Sequence, residues 1–464
     1  MIRFSRHYIS VHLILLIGVD IAIMVASLYL GVSTRFLESG DHLPDSLGPI
    51  LPKAVLFALV MMLIMTALGM YNNEWRAGVR VVAMRIIASF ALGFMVMSQL
   101  FYLFPDLFLG RGAFLFSMLF GLIGVTLARV AFVKWSNLNA FKKRILVLGS
   151  GSRAAKVEQL MKSMPSARSA QIIGYLPLQG SHHYVEHSRV LRDTASLSDL
   201  VTKYNIHEIV IAVRDRRDGG LPVSELLECK LRGINIIELS SFFERENGQL
   251  QLESLNASWI ILSEGFKQGL ARDTVKRIFD LAVSLIIMLI SLPAMALTAL
   301  AIYLESGGPV LYRQERVGQH GKPFTIMKFR SMRSDAEQDG KPRWAGKDDD
   351  RTTRVGRFIR RVRLDELPQL FNVFMGHMSF VGPRPERPYF VGELSRKIPY
   401  YNTRHTVKPG ITGWAQVRYA YGASVEDAVE KLQYDLYYVK NHTLFLDIMV
   451  LLQTMQVVVW GKGQ

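Results

Sequence analysis

The sequence predicts a membrane protein in three parts: an N-terminal four-helix transmembrane bundle over residues 1–140, an α/β Rossmann-like middle domain over 141–265, and a mainly α C-terminal domain over 271–464 that carries a re-entrant membrane helix hairpin at 275–303. Three observations predict it. Four apolar stretches fill the first third, a glycine turn between a strand pattern and a helix opens the middle, and a fifth apolar stretch precedes a segment crowded with arginine and lysine. A length of 464 residues fits three domains of ordinary size.

Composition narrows the function classes. With 50% hydrophobic and 20% charged residues and a mean hydropathy of +0.20, the chain has too much apolar surface for a disordered protein. The single cysteine, Cys229, excludes an intrachain disulfide framework and a cysteine zinc site. A net charge of +16 calls for an anionic partner: nucleic acid, lipid headgroups or a phosphorylated substrate.

The four apolar stretches, near 11–32, 50–70, 83–104 and 112–133, each approach the ~20 residues that cross a hydrocarbon core. Basic residues gather before the first stretch (Arg3, Arg6), after the second (Arg76, Arg80) and at the exit of the fourth (Arg129, Lys134, Lys142, Lys143, Arg144), which places both ends of this part in the cytoplasm. Asp20, inside the first stretch, is either a functional intramembrane acid or a carboxylate facing other helices.

The fifth stretch, Ile278 to Tyr303, has basic residues on both flanks and Pro293 in its middle, where one backbone donor is missing. Ser291 can bond a freed backbone group, as burial in lipid requires. A helix broken at Ser291-Leu292-Pro293 that returns to the face it entered reconciles the charge with the hydropathy.

The middle domain reads as alternating strands and helices, from KRILVL through QIIGYL and EIVIAV to INIIEL. Gly149, Gly151 and Ala154 form GxGxxA, but Pro177-Leu178-Gln179 stands where a ribose-binding acid is expected. A Rossmann-like module without a dinucleotide and a regulatory nucleotide site both remain open. His182, His183 and His187 read as solvated loop residues.

The chemistry concentrates in the last third. Arg313, Arg316, Lys322, Lys328, Arg330 and Arg333 lie close together, and after an acidic loop (Asp348, Asp349, Asp350) comes RTTRVGRFIRRVRLDELPQL. A helix over Val355–Leu364 brings Arg357, Arg360 and Arg361 near one another, with Asp365 and Glu366 directly after. Arginine forks beside carboxylates suit phosphoryl transfer, which needs charge neutralisation and in-line positioning. A carboxylate held ionised by such cations can attack phosphorus, and its neighbour can hold Mg²⁺ together with substrate phosphate oxygens. The cations are interleaved with prolines and apolar runs beside a membrane hairpin, which argues against nucleic acid.

Over 272–464 the segments KRIFD, GGPVLYRQERVG, FTIMKFRSM, RLDELPQLFNVFMG, SFVGPRPE and PGITGWAQV occur in an order that resembles the bacterial sugar transferases, the monotopic polyprenyl-phosphate phosphoglycosyl transferases. The whole plan is similar to the large members that initiate exopolysaccharides, including their exosortase-associated branch. The resemblance implies transfer of a hexose 1-phosphate from a UDP-sugar to undecaprenyl phosphate, with release of UMP, at the cytoplasmic face of the bacterial inner membrane. It makes Asp365 the nucleophile, carrying the phosphosugar covalently, and Glu366 the Mg²⁺ ligand. Arg360, Arg384, Arg330 and Lys328 would bind substrate phosphates, and Ser291 and Pro293 would form the re-entrant break. It also suggests a homodimer. His377 departs from the family, which often has an acid there.

Two alternatives remain beside this reading. One is a non-enzymatic, nucleotide-sensing membrane scaffold of polysaccharide assembly; the other is a nucleotide-sugar oxidoreductase using the GxGxxA domain. PGITGWAQV is either the lining of a base or sugar pocket or a structural turn.

Overall fold

A computed structural model describes residues 2–4, 7–9, 11–37, 48–71, 79–136, 142–163, 170–178, 184–191, 196–213, 221–254, 265–266, 269–333, 351–419, 422 and 424–459. Asp348, Asp349, Asp350, His182 and His183 lie outside them, as does the side chain of His187. The chain forms two compact units, one of Tyr8–Asn247 with Met1–Ile2 and one of Gly248–Gln464 with Arg3–His7.

Two three-residue strands, β1 (Ile2–Phe4) and β2 (His7–Ile9), have residues in both units and precede the four long helices of the first: α1 (Val11–Leu37), α2 (Ile50–Ala67), α3 (Val79–Leu103) and α4 (Arg111–Ser136). All four are long and apolar enough to cross a membrane. They share a core of Met24, Leu28, Phe57, Met61, Phe90, Met97, Phe114 and Val125, while Leu59, Leu63, Ile87, Met95, Leu115 and Leu127 face outward. That inversion suits lipid, which solvates an outward leucine as well as a core does. Small residues let α1 and α4 approach closely: a Cβ on Gly31 would collide with Ser117, and one on Gly124 with Ile23. Asp20 faces the other helices. Its Oδ2 accepts from Arg129 Nη2 at 2.6 Å and from the Tyr71 hydroxyl at 2.7 Å.

The sequence's strands reappear as a four-stranded parallel sheet of β3 (Lys143–Leu148), β4 (Ala170–Leu176), β5 (Glu208–Ile211) and β6 (Asn235–Glu238), ordered β4-β3-β5-β6. Helices α5 (Ser152–Ser163), α6 (Leu197–Lys203), α7 (Val223–Leu231) and α8 (Leu239–Asn247) complete the alternation. Gly149 sits at φ +111°, and a Cβ there would come within 3.0 Å of Ala212 O, so the turn between β3 and α5 needs its glycine. Tyr184 N donates to Ser150 O at 2.8 Å, drawing the chain after β4 back to that turn.

The second unit begins earlier than the sequence suggests. Leu250 and Leu252, assigned above to the middle domain, pack with Val381, Phe390, Trp414, Leu436 and Tyr437 in the C-terminal core. After them come α9 (Leu270–Ser306), the hairpin of β7 (Leu311–Val317) and β8 (Pro323–Phe329), α10 (Arg354–Arg361), α11 (Gln369–Met375), β9 (Ser379–Val381), α12 (Pro388–Lys397) and β10 (Gly410–Thr412). Three more helices close it: α13 (Trp414–Arg418), α14 (Val425–Asn441) and α15 (Leu444–Val459). Helices dominate, beside the antiparallel β7–β8 hairpin and a parallel β9–β10 pair.

Helix α9 is the fifth helix long and apolar enough to cross a membrane, and Pro293 lies inside it. The proline has no N–H to return to the preceding turn, and Ser291 Oγ sits 3.4 Å from Met288 O. The helix runs unbroken through Ser291 and Pro293 to Ser306.

Candidate active site

The acidic pair is presented by a broken helix. Thr353 caps α10 by accepting from Gly356 N at 2.9 Å, and the Glu305 carboxylate at the end of α9 accepts from Arg354 N at 2.8 Å. The predicted helix over Val355–Leu364 stops short, because Arg363 turns left-handed at φ 61°. Leu364–Glu366 then form a separate 3₁₀ turn that points Asp365 inward. Pro368 follows at the N-terminus of α11, where a missing N–H costs nothing. Asn372, fully buried on α11, accepts from Met327 N at 3.0 Å and donates to Thr325 O at 2.7 Å. These bonds clamp α11 to β8 and so set Lys328 opposite the acidic pair.

Glu366 Oε1 accepts from Lys328 Nζ at 2.9 Å and from Arg384 Nη2 at 3.3 Å. Burial opposes its charge, but these two cations overcome that and hold its carboxyl well below the usual range. Asp365 behaves in the opposite way. Burial, reinforced by the Glu366 charge, pushes it up to about 6 against Lys328, Arg363 and Arg360. The cations therefore keep Glu366 ionised first, whereas the sequence expectation had them holding the attacking carboxylate. Asp365 Oδ1 is buried with no hydrogen-bond partner.

The other sequence candidates separate. Arg360 is half-buried and acts on Asp365 through its charge. Arg330 is turned the other way: its Nη2 donates to Ser306 O and Oγ, each at 2.9 Å, and to Gly307 O, closing the end of α9. His377 is exposed, with its ring 6.2 Å from that of Phe324. Trp414 is 1% exposed. Its Nε1 donates to Gly248 O at 2.8 Å and its ring stacks on Tyr437, so it acts as a structural post. Arg363 and Asn372 escaped the sequence reading. The left-handed backbone of one and the two-sided bonding of the other leave no trace in a motif.

Comparison with known proteins bears on this arrangement. A profile of the bacterial sugar transferase family matches residues 271–461, and one described as a CoA-binding domain matches 66–217. The chain is 32% identical over 327 residues to the UDP-glucose:undecaprenyl-phosphate glucose-1-phosphate transferase of Escherichia coli K12, covering 69% of this chain and 68% of that protein. It belongs to the bacterial sugar transferase family. The undecaprenyl-phosphate galactose phosphotransferase of Salmonella typhimurium is similar at 32% identity over 355 residues, 71% of this chain and 70% of that sugar transferase. The UDP-N-acetylgalactosamine-undecaprenyl-phosphate N-acetylgalactosaminephosphotransferase of Aeromonas hydrophila is 38% identical over 255 residues, 55% of this chain, and the chain spans 59% of its length.

Among the described residues no group of three or more His, Cys, Asp or Glu side chains converges as a ready-made metal cage. The site fits Mg²⁺ in another way, because that ion is commonly held by one or two carboxylates completed by substrate phosphate. Glu366, ionised and beside the buried, unbonded Asp365 Oδ1, offers such a partial set.

Proposed function

We propose that this sugar transferase moves a hexose 1-phosphate from a UDP-sugar to undecaprenyl phosphate through a covalent aspartyl intermediate. The observation that carries this is Asp365, a buried carboxyl with one oxygen unbonded, next to Glu366 pinned by Lys328 and Arg384. An Asp365 oxygen attacks the sugar-bearing phosphorus, the anhydride bond to UMP breaks, and UMP leaves with the electron pair. An oxygen of undecaprenyl phosphate then attacks the same phosphorus and frees the carboxylate. Raised basicity makes Asp365 the better nucleophile of the pair, and burial strips it of water. Arg384, Arg360 and Lys328 neutralise phosphate oxygens, and Arg330 holds the helix end behind them. Mg²⁺, held by Glu366, would neutralise charge building on the diphosphate. The lipid-linked sugar is the first unit of an exopolysaccharide repeat.

The same reading keeps the catalytic unit on the cytoplasmic side, where UDP-sugars are made. Basic residues flank α1 and α4 on that side. His7, four residues ahead of α1, is buried in the catalytic unit, with its Nδ1 2.7 Å from the Tyr437 hydroxyl. In α9, Asp280 accepts from Phe380 N at 3.0 Å while Met295 and Ile302 pack with Phe329 and Ile359. Leu285, Ile286, Leu289, Ile290 and Leu292 between them are exposed. Two arms seated on one unit with a bare apolar middle support a helix that bends at Ser291 and Pro293 and dips into one leaflet.

The test is UMP release from UDP-glucose, UDP-galactose and UDP-N-acetylgalactosamine, each with and without undecaprenyl phosphate. One sugar should give up to one equivalent of UMP and an acid-precipitable phosphosugar adduct on the protein without lipid, and turnover with it. Asp365→Asn should abolish both, and full turnover in that variant sinks the mechanism. A scaffold would release no UMP.

A further inference from the structure

The loop Gly382-Pro383-Arg384-Pro385-Glu386 carries the guanidinium that meets Glu366. Gly382 N donates to Thr412 O at 2.9 Å, but neither proline has an N–H, so the rest of the loop is fastened through its carbonyls. Four in a row are taken: Pro383 O by Gly410 N at 3.0 Å, Arg384 O by Arg404 Nη2 at 3.0 Å, Pro385 O by Arg316 Nη1 at 3.4 Å and Glu386 O by Val317 N at 3.0 Å. The bond at Arg384 itself therefore comes from a side chain far along the sequence.

That side chain is built in. Arg404 is 6% exposed; its Nη1 donates to the Tyr401 hydroxyl at 2.7 Å, and its Nη2 lies 2.8 Å from Asp435 Oδ2 on α14. Asp435 is itself 1% exposed, so the pair ties the Arg384 loop to the helix at the centre of the C-terminal core. Stability alone does not call for such a pair, since well-packed apolar residues of equal volume commonly serve as well or better. What the pair adds is direction: a charged fork of fixed geometry that sets the height of one carbonyl. We propose that Arg404, held by Asp435 and Tyr401, is a positioning residue that sets the Arg384 guanidinium against Glu366 and the donor's phosphates. This rests on the transferase reading above.

A double-mutant cycle on the full-length protein tests it, read both as kcat/KM for UMP release and as the Kd for UDP. Arg404→Lys keeps the charge beside Asp435 but cannot grip Asp435, Tyr401 and the Arg384 carbonyl together. It should lower kcat/KM about 10- to 100-fold, as a misplacement near 1 Å does, and should raise the Kd. Tyr401→Phe, a milder change, should shift both the same way by less. In an Arg384→Ala background each substitution should cost under about twofold, because its route to the substrate is gone. Equal factors in both backgrounds, as partial misfolding would produce, overturn the proposal, as does wild-type behaviour of Arg404→Lys. If wild type releases no UMP, the transferase reading fails, and the UDP cycle still decides whether Arg404 acts through Arg384.

Discussion

Replacing Asp365 by asparagine should make this protein more stable at neutral and alkaline pH, even as it removes the proposed nucleophile. The Asp365 carboxyl is raised from an ordinary 3.8 to about 6, by burial first and by the Glu366 charge second. That difference of roughly two units corresponds to about 3 kcal/mol between the protonated and ionised forms in the folded state. The side chain belongs to a residue only 9% exposed, so solvent screens little of it. The sign follows from linkage. A group whose folded value lies above its unfolded value contributes stability that is present below pH 4 or so and is lost as pH rises through about 6. Asparagine, a neutral mimic of the protonated acid, escapes that loss. Thermal unfolding in detergent with EDTA, from pH 4 to pH 8, is the assay. The two proteins should melt together at the acid end. The variant should melt several degrees higher at pH 8, with ~3 kcal/mol as the ceiling on the gain. Adding Mg²⁺ should raise the wild-type midpoint at pH 8 and narrow the gap. No gap at pH 8, or a gap that widens toward acid, would falsify the picture of a buried carboxyl crowded by its neighbour.

Two further expectations concern residues at the edges of the site and of the membrane unit. Asp20→Leu leaves Arg129 buried without its partner and should cost about 3–5 kcal/mol, whereas Asp20→Leu with Arg129→Leu should recover most of the folded yield in detergent; equal yields of the single and double variants count against the ion pair. Arg330→Met should lower the melting midpoint by releasing the end of α9 while leaving the Kd for UDP within about twofold, since the bonds lost go to Ser306 and Gly307. A larger loss of UDP affinity at an unchanged midpoint returns Arg330 to the phosphates.

Much of the architecture was legible because its signals are local. Twenty-residue apolar runs, the Gly149 turn and the β-rich strings of the middle domain each declare themselves within a short window. The acidic pair was legible as chemistry but not as geometry. Nothing in RRVRLDE says that Arg363 turns left-handed and takes Asp365 off the preceding helix. Lys328 and Arg330, two apart on a strand pattern, looked equivalent, yet one meets Glu366 and the other the end of α9. Leu250 and Leu252 read as the tail of the middle domain because burial partners far along the chain, such as Val381, do not show in a sequence window. Arg404 and Asp435 carried no signal at all, being a lone cation and a lone acid that meet only in space, where the first also reaches the Arg384 carbonyl.

The placement of His7 bears on how the protein is made and handled. Its ring packs edge-on against both Trp414 and Tyr437, so a residue synthesised early completes a core whose other walls leave the ribosome some 400 residues later. A fragment cut at Gly248 would lack that ring. The catalytic half is in this sense sewn shut by thread drawn from the opposite end of the chain.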